Sequence, residues 1–263
     1  ILSGGTYDKL TSSDFLGKKS KVINICFNKQ EIDIQSALKI ICEQVENAII
    51  KKKKSLIILS DKDLKKGDSV LPSLLVVGKL HHYLIDRGIR LQASLIVASG
   101  EIRDAHDLAC HIAYGASAVW PYLALEKVRN LAKNTPDLGF SISEAQENYT
   151  NTLNKGLLKI MSKMGVCTVS SYRGSELFEI IGLDEEIILD AFKYAKRRTE
   201  GIGYDKLENQ IKICSDEDNK NLGGFYKYKR NAEPHVTSPA TVLRLQKAVR
   251  SGDREIWLDY LEV

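Results

Sequence analysis

The chain has 263 residues, 43 % of them hydrophobic and 27 % charged, with a formal net charge of +4. That length allows one large domain or two small ones with an ample interior, in an ordinary globular composition. Acidic and basic residues are interspersed and no basic stripe carries aromatics, which argues against a nucleic-acid surface; no apolar run approaches the roughly 18–20 residues of a membrane span.

In chain order, residues 1–30 are weakly patterned, although Lys21 to Phe27 alternates as a strand would. Asp33 to Ile50 reads as an amphipathic helix, with Ile34, Ala37, Leu38, Ile41, Cys42, Val45, Ala48 and Ile49 on one stripe. The lysines from Lys51 to Lys54 suit the end of that helix; a solvated helix end is their plain reading and an anion-binding patch the sharper one. Ser55 to Ser60 is a buried strand and Asp61 to Ser69 a charged loop. Leu71 to Asp86 is a helix, with Pro72 in its first turn and Gly88 past its end.

Leu91 to Ala98 is an almost unbroken run of strand formers, as in a strand buried on both faces of a parallel sheet. Ser99 and Gly100 stop it. From Glu101 to Tyr114 the spacing becomes helical, through Ile102, Ala105, Leu108, Ala109, Ile112 and Ala113, and Gly115 ends the helix. Ala116 to Trp120 is another short strand, and Pro121 opens a helix running to about Lys133. This βαβ pattern requires a parallel sheet with a right-handed crossover.

Asn134 to Phe140 reads as a loop and Ser143 to Met164 as a helix broken or bent near Gly156. Val166 to Ser170 reads as a fourth apolar strand, with Ser171 to Gly174 as its exit loop. Ser175 to Ile181 and Asp184 to Arg198 are predicted helices, the second capped by Asp184. Residues 199–220 look helical and Gly223 to Pro239 looks like a loop. Pro239 to Arg250 restarts a helix with Val242, Leu245 and Val249 on one face, and Ser251 to Val263 looks like a terminal helix. The fold class is therefore α/β: parallel β/α units with helices on both faces, as an incomplete barrel-like sheet or an open doubly wound one.

In such folds the loops leaving the strand C-termini share one rim, where ligands bind. That rim is predicted to hold Asp61, Glu101, Tyr172 and Arg173, a polar set suited to anion binding or acid/base work. The same residues also suit helix caps and mutual ion pairs. His81 and His82 are adjacent and His106 and His111 are five apart, so neither pair shares a helix face as zinc ligands do. GxGxxG, GxxxxGK[ST] and GxSxG are absent. The five cysteines, Cys26, Cys42, Cys110, Cys167 and Cys214, are odd in number and widely spaced. They read as structural thiols of a reducing, cytoplasmic compartment rather than iron–sulfur ligands. The pattern predicts no signal peptide. The start at Ile1 instead of Met predicts a piece of a longer polypeptide.

SLIVASGEIRDAH at 94–106 followed by YGASAVWPYLALE at 114–126 resembles the central domain of the glutamate synthase large subunit. LIILSD at 56–61, LPSLLVVGKLHHYLIDRGIR at 71–90, KGLLKIMSKMGVCTVSSYRGSELFEIIGL at 155–183 and GIGYDKL at 201–207 extend the likeness. Two departures are Lys62, where Arg is usual, and Trp120, where the family pattern has Asn before Pro-Tyr-Leu-Ala. GGFYKYKRNAEPHVTSPATVLRLQKAV at 223–249 resembles the start of the flavin-binding synthase domain. The resemblance implies a central domain over residues 1–220, with 221–263 as the first elements of its neighbour.

The family converts glutamine and 2-oxoglutarate to two glutamates, so the resemblance implies part of an oxidoreductase of glutamate biosynthesis and ammonia assimilation. An amidotransferase domain and a domain carrying FMN and an iron–sulfur cluster would be partners on the same polypeptide. This piece would join them around an ammonia tunnel, with no catalytic, cofactor or metal site of its own and no activity in isolation. Two other readings stay open: an autonomous small-molecule enzyme using the Asp61, Glu101, Tyr172 and Arg173 rim, and an interaction module. The module reading predicts poor packing at Val242, Leu245 and Val249.

Overall fold

The computed structural model describes residues 1–12, 18–28, 30–135, 139–214, 228 and 235–262. Two compact units divide the chain, residues 1–215 and 216–263.

The larger unit begins with α1 (Gly4–Thr11), β1 (Ser20–Asn24), β2 (Cys26–Phe27), α2 (Ile34–Ile50), β3 (Leu56–Ser60), β4 (Ser69–Val70) and α3 (Ser73–Asp86). A turn of 3-10 helix, Arg90–Gln92, precedes β5 (Ser94–Ala98), α4 (Ala105–Ala113), β6 (Ala118–Trp120), α5 (Tyr122–Asn134) and α6 (Ile142–Lys163). Short elements follow: α7 (Val169–Tyr172), β7 (Glu179–Ile180), α8 (Glu185–Ala191), β8 (Lys196–Arg197) and α9 (Tyr204–Cys214).

A parallel sheet of order β1-β3-β5-β6 forms its centre. The register pairs Asn24 with Ser60, Ser60 with Ala98, and Ala98 with Trp120, so the strands end level on one rim. Successive side chains point to opposite faces. Ile57, Leu59, Leu95, Val97 and Val119 join the buried stripes of α2, α3 and α4 in the main core. Ile58, Ile96, Ala98 and Trp120 form a second cluster with Tyr7 of α1 and Leu125 of α5. Strand order follows chain order and the three crossover helices share one face. That is the winding of a barrel segment, since a doubly wound sheet reverses its order. The barrel-like alternative is the one observed, with α1 on the other face.

Local chemistry explains the helix starts. Asp33 Oδ1 accepts the Ser36 N–H at 2.6 Å, and every residue of the α2 stripe is buried. Ser141 and Glu144 form a reciprocal capping box at the start of α6. α6 runs unbroken through Gly156. A Cβ at Gly156 would lie 2.4 Å from the Ala105 Cβ, so the glycine admits a close helix–helix approach instead of a bend.

Several expected elements differ. Leu91 is fully exposed in the 3-10 turn, and its strand starts at Ser94. The helix expected from Glu101 starts at Ala105, where Asp104 accepts the N–H groups of His106 and Asp107. Val166 to Ser170 makes no strand. The chain leaves α6 through Gly165 at φ 73°, and Thr168 then caps α7 by accepting the Ser171 N–H. A local side-chain cap thus wins over strand propensity. Ser175 to Ile181 carries β7 instead of a helix, and the helix from Asp184 stops at Ala191. Of the loop expected from Gly223 to Pro239, residues 223–227 and 229–234 lie outside the described residues.

The smaller unit contains α10 (Pro239–Ser251) and α11 (Arg254–Leu261), packed on each other around the left-handed cap Gly252. Arg244 Nε lies 3.4 Å from Asp259 Oδ2. Leu243, Val249 and Leu261 are exposed, and Val242 and Leu245 are more than a third exposed.

Candidate functional site

Because β3, β5 and β6 end level, three loops meet on one rim: Ser60-Asp61-Lys62, Ser99-Gly100-Glu101 and Trp120-Pro121-Tyr122. Backbone bonds lace them together. The Asp61 N–H donates to Ala98 O at 3.3 Å, and the Ser99 N–H to Trp120 O at 3.2 Å. Asp61 is the centre of this lacing and is buried. Its Oδ2 accepts the Ser99 hydroxyl at 2.5 Å and the Gly100 N–H at 3.0 Å. The Tyr122 hydroxyl donates to the same carboxylate, and burial together with this bond pushes the Tyr122 phenol far above its ordinary range. With these donors and its burial, Asp61 is a fixed loop clamp with little access for a reacting proton.

Trp120 stacks on Tyr7, with ring centroids 3.9 Å apart, and Lys62 Nζ sits 5.1 Å above the indole. Tyr7 also bonds Ser60 through its hydroxyl, and burial raises its phenol. Cys26 Sγ donates to Asp61 O at 3.6 Å; burial, then the Asp61 charge, pushes its thiol up to about 12, far from a reactive thiolate.

Glu101 shares the rim but serves another loop. Its Oε2 accepts the Ser73 N–H at 2.6 Å, which satisfies one orphan donor at the start of α3. The Ser73 hydroxyl donates to His111 Nε2 at 2.9 Å, and His111 Nδ1 donates to Asp107 O at 2.7 Å. Burial lowers the His111 pKa, so the ring is neutral with its proton on Nδ1. Serine and imidazole lie at nucleophile–base distance, yet both are buried, so the contact fixes a helix start.

Tyr172 and Arg173 are elsewhere. Arg173 Nη1 donates to Ser117 Oγ at 3.2 Å, and Ser117 lies just before β6. The Gly174 N–H donates to Ile112 O and the Glu176 N–H to Ala113 O, tying this segment to the end of α4. Tyr172 is fully buried there. The expected four-residue rim therefore splits: Asp61 and Glu101 stand at the strand C-termini, Tyr172 and Arg173 at the opposite end of the sheet. The cause is the missing strand over Val166 to Ser170, without which Ser171 to Gly174 is no exit loop.

Sequence reasoning missed Tyr7 and Ser73. Tyr7 lies in a stretch without clear period. Ser73 follows Pro72 in a position that reads only as a helix start. Histidine contacts are likewise structural: the Arg90 Nε–H donates to His81 Nδ1 at 2.9 Å, and burial, then Arg90, lowers the His81 pKa to about 4. Among the described residues no group of three or more His, Cys, Asp or Glu could hold a metal ion. Cys26, Cys42 and Cys110 occupy separate elements and Cys167 lies between α6 and α7, an arrangement that does not fit an iron–sulfur cluster.

A family model described as the glutamate synthase central domain matches residues 1–184. The ferredoxin-dependent glutamate synthase of Cyanidium caldarium is 37 % identical over 246 residues, covering 87 % of this chain and 16 % of that protein. The large chain of the NADPH glutamate synthase of Bacillus subtilis is 34 % identical over 249 residues, covering 92 % of this chain and 16 % of that protein. The chain thus spans about a sixth of the length of the curated relatives it matches. Among solved structures, the flavin-binding domain of baker's yeast flavocytochrome b2 aligns over 88 % of this chain at 17 % identity with a TM-score of 0.44.

Proposed function

This chain belongs to the glutamate synthase central domain family, and from that premise we propose that it is the connecting domain of a glutamate synthase. In this reading it spaces two reaction centres on one polypeptide. An amidotransferase domain releases ammonia from glutamine. A domain carrying FMN and an iron–sulfur cluster combines that ammonia with 2-oxoglutarate and reducing equivalents to give glutamate. The present domain packs around the tunnel between them, with residues 1–220 as the spacer and 221–263 as the start of the flavin-binding domain. Holding the centres at fixed separation raises the local concentration of a reactant that solvent would protonate and dilute.

The observation that carries this reading is the fate of the rim residues. Asp61 is occupied by Ser99, Gly100 and Tyr122, and Glu101 supports the start of α3. At the other end of the sheet Tyr172 is buried, and the exposed Arg173 donates to Ser117 ahead of β6. The polar side chains that sequence singled out thus hold loops. The unpaired state of Cys26, Cys42, Cys110 and Cys167 supports a reducing, cytoplasmic location.

Two assays test the proposal. The isolated chain is expected to form no glutamate from glutamine and 2-oxoglutarate and to bind no flavin stoichiometrically. In the full-length enzyme, Asp61→Ala is expected to raise the ammonia released to solvent per glutamate formed while glutamine hydrolysis continues. Catalysis by the isolated chain, or an unchanged ammonia-to-glutamate ratio in the variant, overturns the spacer role.

A further inference from the structure

The end of the sheet where the strands begin carries one sign of charge. Ser20, Leu56 and Ser94 stand level, so the segments entering β1, β3, β5 and β6 lie side by side along about 15 Å. Backbone bonds fix them: the Ser55 N–H donates to Lys19 O at 3.0 Å, the Ser94 N–H to Ser55 O at 2.9 Å, and the Ser117 N–H to Leu95 O at 2.7 Å. Lys18, the four lysines from Lys51 to Lys54, Arg90 and Arg173 all stand on these segments or beside them.

Among the described residues none of these cations has a carboxylate partner. Lys54 Nζ donates to Lys18 O at 2.5 Å, and the Arg90 guanidinium to His81 Nδ1, Ala93 O and Gly115 O, all neutral acceptors. Of the carboxylates close by in sequence, Glu46 is held by Arg87, Asp86 by Lys193, and Glu176 is buried facing His82. Two further observations stand beside the charge. Leu91 is fully exposed in the 3-10 turn that enters β5, between the lysines and Arg173. Lys53 holds φ 51° just past α2, where the Lys54 N–H closes back on Ala48 O at 3.0 Å. Glycine is the usual residue in such a left-handed slot, so a lysine there keeps a charge at the expense of stability.

We propose that this end of the sheet docks on an anionic lipid bilayer, with the cations against the headgroups and Leu91 entering the interface. The composition chooses among partners. Lysine is depleted from protein interfaces, whose energy comes from buried aromatic and arginine anchors. Single-stranded nucleic acid is held by aromatics set among the cations, and none interleaves these lysines in sequence. Clustered lysines with one apolar tip supply instead the two weak attractions that hold a protein on an anionic membrane: charge, and a small buried apolar area. Among the described residues no helix is long and apolar enough to cross the bilayer, so the contact is with one surface of it.

Vesicle sedimentation with the 263-residue chain tests this, with bilayers of equal parts phosphatidylcholine and phosphatidylglycerol set against pure phosphatidylcholine. At low salt, partitioning onto the mixed vesicles is expected to exceed that onto phosphatidylcholine by about tenfold or more. It is expected to collapse at about 1 M salt, where the screening length is about 3 Å. A lysine at an anionic surface contributes about fivefold to partitioning, so Lys52→Gln is expected to lose about fivefold. Lys53→Gly is expected to lose as much while its urea midpoint rises, which separates the charge from the fold. Leu91→Ser is expected to lose about threefold or more. Lys65→Gln, the same charge change on the exposed loop at the other end of the strands, is expected to stay within about twofold of the parent. No sedimentation with the mixed vesicles, equal binding to pure phosphatidylcholine, or equal losses from Lys65→Gln and Lys52→Gln each overturns the assignment. So does tighter binding of poly-L-glutamate or of a single-stranded oligonucleotide at equal charge concentration, which would make this a face for an acidic protein or a nucleic acid.

Discussion

His82 Nε2 of α3 faces Glu176 Oε1 across 2.9 Å in the interior of the larger unit. Glu176 sits in the left-handed region, at φ 51°, on the segment pinned to the end of α4. The approach lacks hydrogen-bond geometry: His82 Nε2, the other Glu176 carboxylate oxygen and the hydroxyls of Tyr114, Tyr172 and Ser175 are all buried without hydrogen-bond partners. Removing one partner leaves the buried polar atom facing it without its neighbour, at about 1–3 kcal/mol. Glu176→Ala is therefore expected to lose about 2 kcal/mol in urea unfolding. His82→Leu combined with Glu176→Met is expected to lose less than the two single changes added together. Strict additivity would show that the contact contributes nothing.

Asp61 makes a second stability prediction, at the opposite end of the strands. Asp61→Ala leaves the Ser99 hydroxyl, the Gly100 N–H and the Tyr122 hydroxyl without their acceptor. Bonds to a charged acceptor contribute about 1.5–3 kcal/mol, so a loss of about 3 kcal/mol is expected, against about 1 kcal/mol for Ser99→Ala. Urea midpoints at constant slope measure both. Equal losses from the two substitutions would mean that the Ser99 bond alone holds the loops.

These two sites show what the sequence carried and what it could not. The α2 stripe and the strands ending at Ser60, Ala98 and Trp120 were legible because burial on one or both faces leaves a period in the residues. From those strand ends alone, Asp61 and Glu101 fall on one rim. Arg173 was misplaced because VCTVS has the composition of a strand, while its position after Gly165 and the Thr168 cap decide otherwise. Tyr7 was invisible for another reason: a short helix that plugs the thinly covered face of a sheet needs one stacking residue and no stripe. The Glu176 pairing depends on a contact between residues 82 and 176, which no local pattern records.

The histidine at position 81 gives a pH dependence with a definite sign. Its imidazole is held at about 4 in the fold, against an ordinary 6.5, chiefly by burial and then by Arg90. The unfolded chain therefore takes up a proton that the folded chain refuses. The stability contribution is complete above about pH 6.5 and is lost as pH falls toward 4. After discounting for solvent screening the loss is about 1–2 kcal/mol. His81→Asn is expected to remove that part of the slope between pH 7 and 4.5, measured as unfolding free energy at each pH. An unchanged slope would assign the acid sensitivity elsewhere, with buried His111, whose pKa is also lowered, as the next group to replace.

Gly156 sets two opposing effects against each other in one substitution. Alanine in a helix interior is worth about 1 kcal/mol over glycine, so propensity alone predicts that Gly156→Ala stabilises α6. Packing predicts the reverse, because the new methyl would lie 2.4 Å from the Ala105 Cβ, far inside contact distance. Overpacking costs about 1–3 kcal/mol when backbone must shift, and Ala105 is fixed in the first turn of α4 behind the Asp104 cap. The net expectation is a loss of about 1–2 kcal/mol for Gly156→Ala. Ala105→Gly in the same chain moves the methyl from one helix to the other and is expected to recover most of it. Thermal unfolding of the two single variants and the double variant decides between the effects. A stabilised Gly156→Ala would mean that α4 and α6 separate freely, and that the glycine is not what lets them pack closely.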